Sequence, residues 1–303
     1  MNLLKRRYFF FALSLLIILP GLIVLATGGI SLSIDFTGGS LLEVTFAEGT
    51  PLPEDVLAVY DEANIKDPQV QTTDAGSIVI RSEFLDNEKR DAVLGSLEEE
   101  FGEVTVLRFD SVGPSIGDQV TSRAAMAVSV SSFLVLLFIA WSFRSIKNGY
   151  RYGISAIFAM LHDVAIIFSI TALGGLFFDW EIDALFLTAL LTVIGFSMQD
   201  SIVVFDRIRE NSKTLRHLEY ETLINHSIVQ TLQRSINTQL MTVEFLLLAL
   251  ALFGGVTLQQ FVIVLLIGLM SGTYSSIFVA APVLVVWENE EWKTWFKKDK
   301  TIA

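Results

Sequence analysis

Four ionisable side chains stand within or beside runs that are otherwise apolar: Asp163, Asp200, Arg234 and Glu244. A charge in hydrocarbon is expensive, so an acid kept there is a functional candidate by default. Asp200 closes Gly195-Phe196-Ser197-Met198-Gln199-Asp200, about six residues past the middle of its run. At ~1.5 Å per helical residue that is about 9 Å from the centre, still inside a hydrocarbon half-thickness of about 15 Å. Burial and a neighbouring cation act in opposite senses on a carboxyl group, and their balance lets it exchange a proton. The plainer alternative is a carboxylate locked in a helix-packing hydrogen bond. Asp163, which follows His162 near the middle of another run, is balanced evenly between a functional acid and a partner that orients another helix. His162 has no metal-ligand spacing around it and reads as a packing or hydrogen-bonding residue. Arg234, Asn237, Met241 and Glu244 recur at intervals of three, four and three, one face of a helix. An arginine stem is long enough to reach inward toward a carboxylate, although a basic residue flanking a span is ordinary. Glu244, nearly three turns deeper, needs a partner or a proton.

These residues must be positioned by membrane-spanning helices. Of the 303 residues 52% are hydrophobic and 18% charged, with a mean hydropathy of +0.57. The apolar residues cluster in six runs, 8–27, 124–143, 153–177, 182–205, 235–253 and 258–287, each near the roughly 20 residues a spanning helix needs. The first follows Lys5-Arg6-Arg7 but is longer than a signal-peptide core and lacks a small-x-small cleavage site, so it reads as a retained anchor. Basic residues fall before the first run, between the second and third, between the fourth and fifth, and after the sixth. The short opposite loops, Phe178-Asp179-Trp180-Glu181 and Gly254-Gly255-Val256-Thr257, carry none. With six spans, this places both termini in the cytoplasm. Trp141, Trp180 and Trp287 fall near the expected interfaces. Asp206 and Arg207, just beyond Asp200, read as an interfacial helix end. Gly268 and Gly272 form a GxxxG pair that permits close helix contact.

Between the first two spans lies a polar stretch on the outer face. From Asp35 to Asp118 it holds 19 acidic and 5 basic residues, a net charge near −14 against −12 for the whole chain. The acidic excess therefore belongs to this stretch, and the remainder is slightly basic. Alternation over 41–46 predicts a strand. Pro51-Leu52-Pro53-Glu54-Asp55 opens a helix to about Asn64. Residues 69–72 and 77–83 flank Asp74-Ala75-Gly76, a hairpin signal. Residues 86–101 predict a helix stopped at Gly102, and 104–109 a last strand. The order βαββαβ is that of a ferredoxin-like split unit; an inert spacer is the alternative. The expected divisions are a tip and first helix (1–30), the external α+β domain (31–122), a five-helix bundle (123–287) and a cytoplasmic tail (288–303).

No cysteine is present, which excludes disulfides and thiol chemistry. There is no GxxxxGK[ST] phosphate loop, no HExxH, no GxSxG and no basic aromatic stripe. Nucleotide, nucleic-acid and enzyme readings find no support.

Together these features resemble the SecD/SecF family of protein-export membrane proteins, over nearly the whole length. The resemblance runs through Ile34-Asp35-Phe36-Thr37-Gly38-Gly39, Val112-Gly113-Pro114-Ser115-Ile116-Gly117, Leu161-His162-Asp163-Val164, the Gly195–Asp200 motif continuing to Asn211, and Gly272-Thr273-Tyr274-Ser275-Ser276. It implies a subunit in the bacterial cytoplasmic membrane that pairs with SecD, joins the SecYEG channel and uses a proton or sodium gradient to draw preproteins outward, with no other cofactor. It maps the family's ion-carrying aspartate to Asp200 and its helix-five arginine to Arg234. Gln199, where the family commonly has Asn, and Glu244 depart from the pattern. An ion-coupled exporter of small molecules or lipids, of the resistance-nodulation-division superfamily, is the other reading; its two six-span halves and two large external loops are not found here.

Overall fold

The computed structural model describes residues 2–28, 30–47, 49–73, 76–144, 148–239, 245–253 and 256–293. The chain divides into two compact units, Leu32–Met126 and Met1–Ser31 with Ala127–Ala303.

The smaller unit is an α/β layer. After a one-turn helix α2 (Ile34–Thr37) come β1 (Gly39–Phe46), α3 (Pro53–Glu62), β2 (Gln69–Thr72), β3 (Ile78–Ser82), α4 (Asn87–Phe101) and β4 (Val104–Val112). The strands form one antiparallel sheet in the order β2-β3-β1-β4. Every strand and both long helices predicted from periodicity and caps are present. Pro53 opens α3 with Glu54 and Asp55 in its first turn. The Asp86 carboxylate accepts the Lys89 N–H at 2.8 Å to cap α4. Leu42, Val44, Ile78 and Ile80 alternate toward one face and meet Val56 and Tyr60 of α3 and Val93 and Leu97 of α4, all within 1% of full burial. Burial pushes the Tyr60 phenol pKa well above its usual value. Asp74 and Ala75 of the expected hairpin turn lie outside the described residues.

The sequence does not reveal α2, which is too short to show a period. Its cap is Ser33, whose hydroxyl accepts the Asp35 N–H. The turn that follows has φ of +72° at Gly38 and +122° at Gly39. A Cβ on Gly39 would lie 2.7 Å from the Ser82 carbonyl oxygen, and one on Gly117 would lie 2.7 Å from the Gly38 nitrogen. The Thr121 hydroxyl donates to the Phe36 carbonyl at 3.1 Å. The glycine pair is thus seated on the first turns of α5 (Pro114–Ser142), and side chains there would force the backbones apart.

The larger unit is helical. It comprises α1 (Arg7–Thr27), most of α5, α6 (Gly149–Phe178), α7 (Ala184–Thr214), α8 (Tyr220–Thr238), α9 (Phe245–Phe253), α10 (Val256–Ser275) and α11 (Ala281–Glu288). A π-helical turn, Ser276–Ala280, joins α10 to α11. Pro282 accounts for it: the ring has no N–H and would press on the carbonyl four residues back, so the preceding turn widens. The sequence predicts six spans. Among the described residues five stretches are long and apolar enough: Leu4–Thr27, Pro114–Ser142, Gly149–Phe178, Ala184–Thr214 and Leu258–Glu288. The predicted fifth run, 235–253, is shared between the end of α8 and α9, and its residues 240–244 lie outside the described set. Helix α8 occupies what the sequence reads as a connecting loop, so Arg234 lies inside a helix instead of ahead of one.

Close packing follows the small residues. Gly21 of α1 lies on Ser169 of α6, whose hydroxyl donates to the Ile17 and Ile18 carbonyls at 3.1 Å. A Cβ on Gly268 would lie 2.4 Å from Val193, and one on Gly272 would lie 3.2 Å from the Ser197 Cα. Gly268 and Gly272 thus lie where α10 comes close to α7. Leu3, Arg7 and Tyr8 meet α8 and Glu291 at one end of the bundle. Arg7 pairs with Glu291 at 2.5 Å and Glu221 at 3.3 Å, the Tyr8 hydroxyl donates to Glu291 at 2.6 Å, and the Leu3 N–H donates to Asn225.

Candidate functional site

Two carboxylates lie inside the helical unit, Asp163 on α6 with 1% of its surface exposed and Asp200 on α7 with 8%. Helix α10 reaches both. Ser271 and Ser275, four residues apart and so on one face, point their hydroxyls at Asp163, donating at 2.6 Å to Oδ1 and Oδ2. Ser197 of α7 donates to Oδ2 at 2.5 Å. His162 Nδ1 lies 3.0 Å from Oδ1, and donates when it carries the ring proton. An ionised carboxylate offers about four lone-pair sites, and here all four are taken. The His162 ring stacks on Tyr274, with centroids 5.9 Å apart. The Tyr274 hydroxyl donates to the Phe10 carbonyl at 2.9 Å, so this network ties α1, α6, α7 and α10 together.

Asp200 is held on one side only. Gln239, which follows α8, donates through Nε2 to Oδ2 at 3.0 Å, and Thr273 of α10 donates to the same oxygen at 3.2 Å. Among the described residues no hydrogen bond reaches Oδ1. The Gln239 side-chain oxygen is itself buried without a partner. One carboxylate is saturated by donors, while the other has, among the described residues, one oxygen that accepts no hydrogen bond. No group of three or more acid or histidine side chains that could hold a metal occurs among the described residues.

The remaining candidates are placed differently. Arg234 is exposed on α8 and makes no ion pair among the described residues, so the side chain from this stretch that meets Asp200 is Gln239. Glu244 lies outside the described residues. Gly195 and Gln199 are exposed on α7. Asp206 pairs with Arg209, while Arg207 donates to Gln230 at 2.7 Å and pairs with Glu210 at 2.5 Å. Asn211, the end of the same motif, is buried and donates to Ser227 and Gln230 of α8. The sequence reading does not single out Ser271, Thr273, Ser275 or Gln239 as ligands. The four-residue spacing of the two serines is the signal that points to them.

A helical bundle of several membrane-length spans, with two acids inside it, defines a multi-pass membrane protein with a buried ionisable centre. Residues 93–290 match the family model for the protein export membrane protein SecD/SecF, C-terminal, and residues 23–49 match that for the SecD/SecF GG motif. The chain belongs to the SecD/SecF family. The protein translocase subunit SecF of Anaerolinea thermophila is 58% identical over 98% of this chain and 97% of its own length. That of Thermobaculum terrenum is 45% identical over 100% and 98%. The crystal structure of SecDF from Thermus thermophilus, a translocon-associated membrane protein, superposes with a TM-score of 0.80 at 34% identity, covering 95% of this chain. This chain spans 39% of that one.

Proposed function

We propose that the chain is the SecF-type subunit of a protein-export machine in the bacterial cytoplasmic membrane, and that Asp200 takes up and releases the coupling ion, a proton or sodium. Membership of a protein-export family makes export its task. Its 39% share of a SecDF chain supports a SecD-type partner that supplies the remainder, and the translocon association of that SecDF supports SecYEG and emerging preproteins as further partners. The exposure of Gly195, Phe196 and Gln199 on a membrane-length helix supports a partner helix against that face. The basic loops and the meeting of both chain ends at one end of the bundle support six spans with cytoplasmic termini and an outward-facing, ferredoxin-like acidic domain.

The observation that carries the ion role is the contrast between the acids. Asp163 has no lone pair left, whereas Asp200 has one oxygen held and one open. Hydrogen bonds to an ionised acceptor are roughly twice as strong as neutral ones. Neutralising Asp200 therefore loosens Gln239 and Thr273, and α8 and α10 shift against α7. One charge crossing 100 mV supplies about 2.3 kcal/mol, which biases a two-state equilibrium roughly 50-fold at 1.4 kcal/mol per decade.

The test is preprotein transport by inverted vesicles under separate proton and sodium gradients. Asp200→Asn should assemble normally and lose the gradient-dependent part of export. Full gradient stimulation in that variant would sink the reading, and the gradient that stimulates the unaltered chain identifies the ion.

A further inference from the structure

At the end of the bundle where the chain ends meet, a cavity of about 670 Å³ lies among the start of α6, the end of α7, the start of α8 and α11. Neither Asp163 nor Asp200 lines it. Its walls carry four cations, Arg151, Arg209, Lys213 and Arg216, and two phenols, Tyr152 and Tyr220. The phenolic oxygens are 3.4 Å apart. One acid lines the cavity, Glu288, and it is paired with Arg151. Arg209 is paired with Asp206. Among the described residues, Lys213 and Arg216 have no ion pair. The cavity therefore holds an uncompensated positive charge in a space large enough for a small ligand.

Its depth narrows the ligand. The apolar run of α7 ends near Phe205. Arg209 and Lys213 follow about 6 and 12 Å further along the helix at ~1.5 Å per residue, which is the polar headgroup layer flanking the hydrocarbon. The anions of that layer are phosphate diesters. Arginine meets phosphate oxygens in a fork, lysine meets them as a point charge, and a phenol donates to them. Basic pockets between spanning helices on the cytoplasmic side are suited to anionic headgroups.

We propose that this cavity is a phosphate-binding site occupied by the headgroup of an anionic phospholipid, with Lys213 and Arg216 as its principal contacts. The site requires only that the bundle spans a membrane; it is independent of the role of Asp200.

The test uses the purified full chain in a neutral detergent, titrated with phosphatidylglycerol, with phosphatidylcholine, or with inorganic phosphate, and read by thermal unfolding. Phosphatidylglycerol should stabilise saturably and phosphatidylcholine should not. Lys213→Gln/Arg216→Gln should weaken the phosphatidylglycerol midpoint about 30-fold, since each cation near the surface contributes about 1 kcal/mol and 1.4 kcal/mol is a decade. Lys5→Gln/Arg6→Gln removes two exposed charges near the same end and should leave the midpoint within about threefold. Equal binding of phosphatidylcholine, or equal weakening by the control pair, overturns the site. Stabilisation by inorganic phosphate to the same plateau overturns the lipid as its source. Should the double variant fail to fold, Ser212→Glu places an acid in the cavity wall; an unchanged midpoint there also overturns the proposal.

Discussion

At the residue scale, two buried aspartates have different surroundings: three hydroxyls and an imidazole around Asp163, one amide and one hydroxyl on Asp200. Removing one donor from Asp163 leaves a buried charge short of a partner, at about 1.5–3 kcal/mol. Ser275→Ala should lower unfolding stability in detergent by that amount. Asp163→Asn should cost about 3 kcal/mol or more, since three hydroxyls and an imidazole lose their common anion. Asp200→Asn removes bonds on one oxygen only and should cost about 1 kcal/mol. If the two Asn variants were equally destabilised, the saturated and open environments would not differ as described. Both acids are legible in the sequence, because a charge in an apolar run is conspicuous. Their ligands are not, because serine and threonine sit quietly in spanning helices by bonding their own preceding carbonyls. Arg234 drew attention by its charge, yet the neighbour that meets Asp200 is the uncharged Gln239.

At the element scale, three glycines in apolar helices make a graded series. A Cβ at Gly268 would press on Val193, one at Gly272 would sit tightly on Ser197, and one at Gly195 would meet nothing within 4 Å. Gly268→Ala should therefore destabilise by about 1–3 kcal/mol and Gly272→Ala by less. Gly195→Ala should be neutral or stabilising by up to about 1 kcal/mol, the helix-propensity gain. Thermal unfolding of the three variants checks the order. The strands and the two long helices of the smaller unit are legible because alternation, Pro53, Asp86 and Gly102 act within a few residues of one another. The π turn was not, since its cause, Pro282, looks like any proline in an apolar run. Helix α8 carries only two formal charges, Glu221 and Arg234; its polar side chains, among them Asn225, His226, Gln230 and Gln233, are what make it resemble a loop between spans.

At the scale of the whole molecule, the joined chain ends form a pH-sensitive clasp. Burial alone would raise the Glu291 pKa, but the hydrogen bonds from Tyr8 and Arg7 outweigh it and hold it below the ordinary value of about 4.5. A group depressed in the folded state stabilises fully above its unfolded pKa and stops doing so as pH falls through the folded one. Cleavage of the amino-terminal tip by a protease active in acid should accelerate below about pH 4.5, and Glu291→Gln should show fast cleavage at neutral pH as well. Nothing in the sequence pattern signals that Glu221 and Glu291 hold Arg7 between them.

The hydroxyl cage of Asp163 also has a timetable. Two of its donors lie 108 and 112 residues further along the chain, and the third 34. At ~5–20 residues per second, a ribosome needs about 5–20 s to make Ser271 after it has made Asp163. Throughout that interval α6 carries an acid whose main partners do not yet exist. Nascent chains halted before residue 271 should hold α6 beside the insertion machinery, seen as persistent crosslinks to it, and chains extended far enough for Ser271 and Ser275 to leave the ribosome should release it. Asp163→Leu should abolish the delay even as it removes the cage the finished protein depends on.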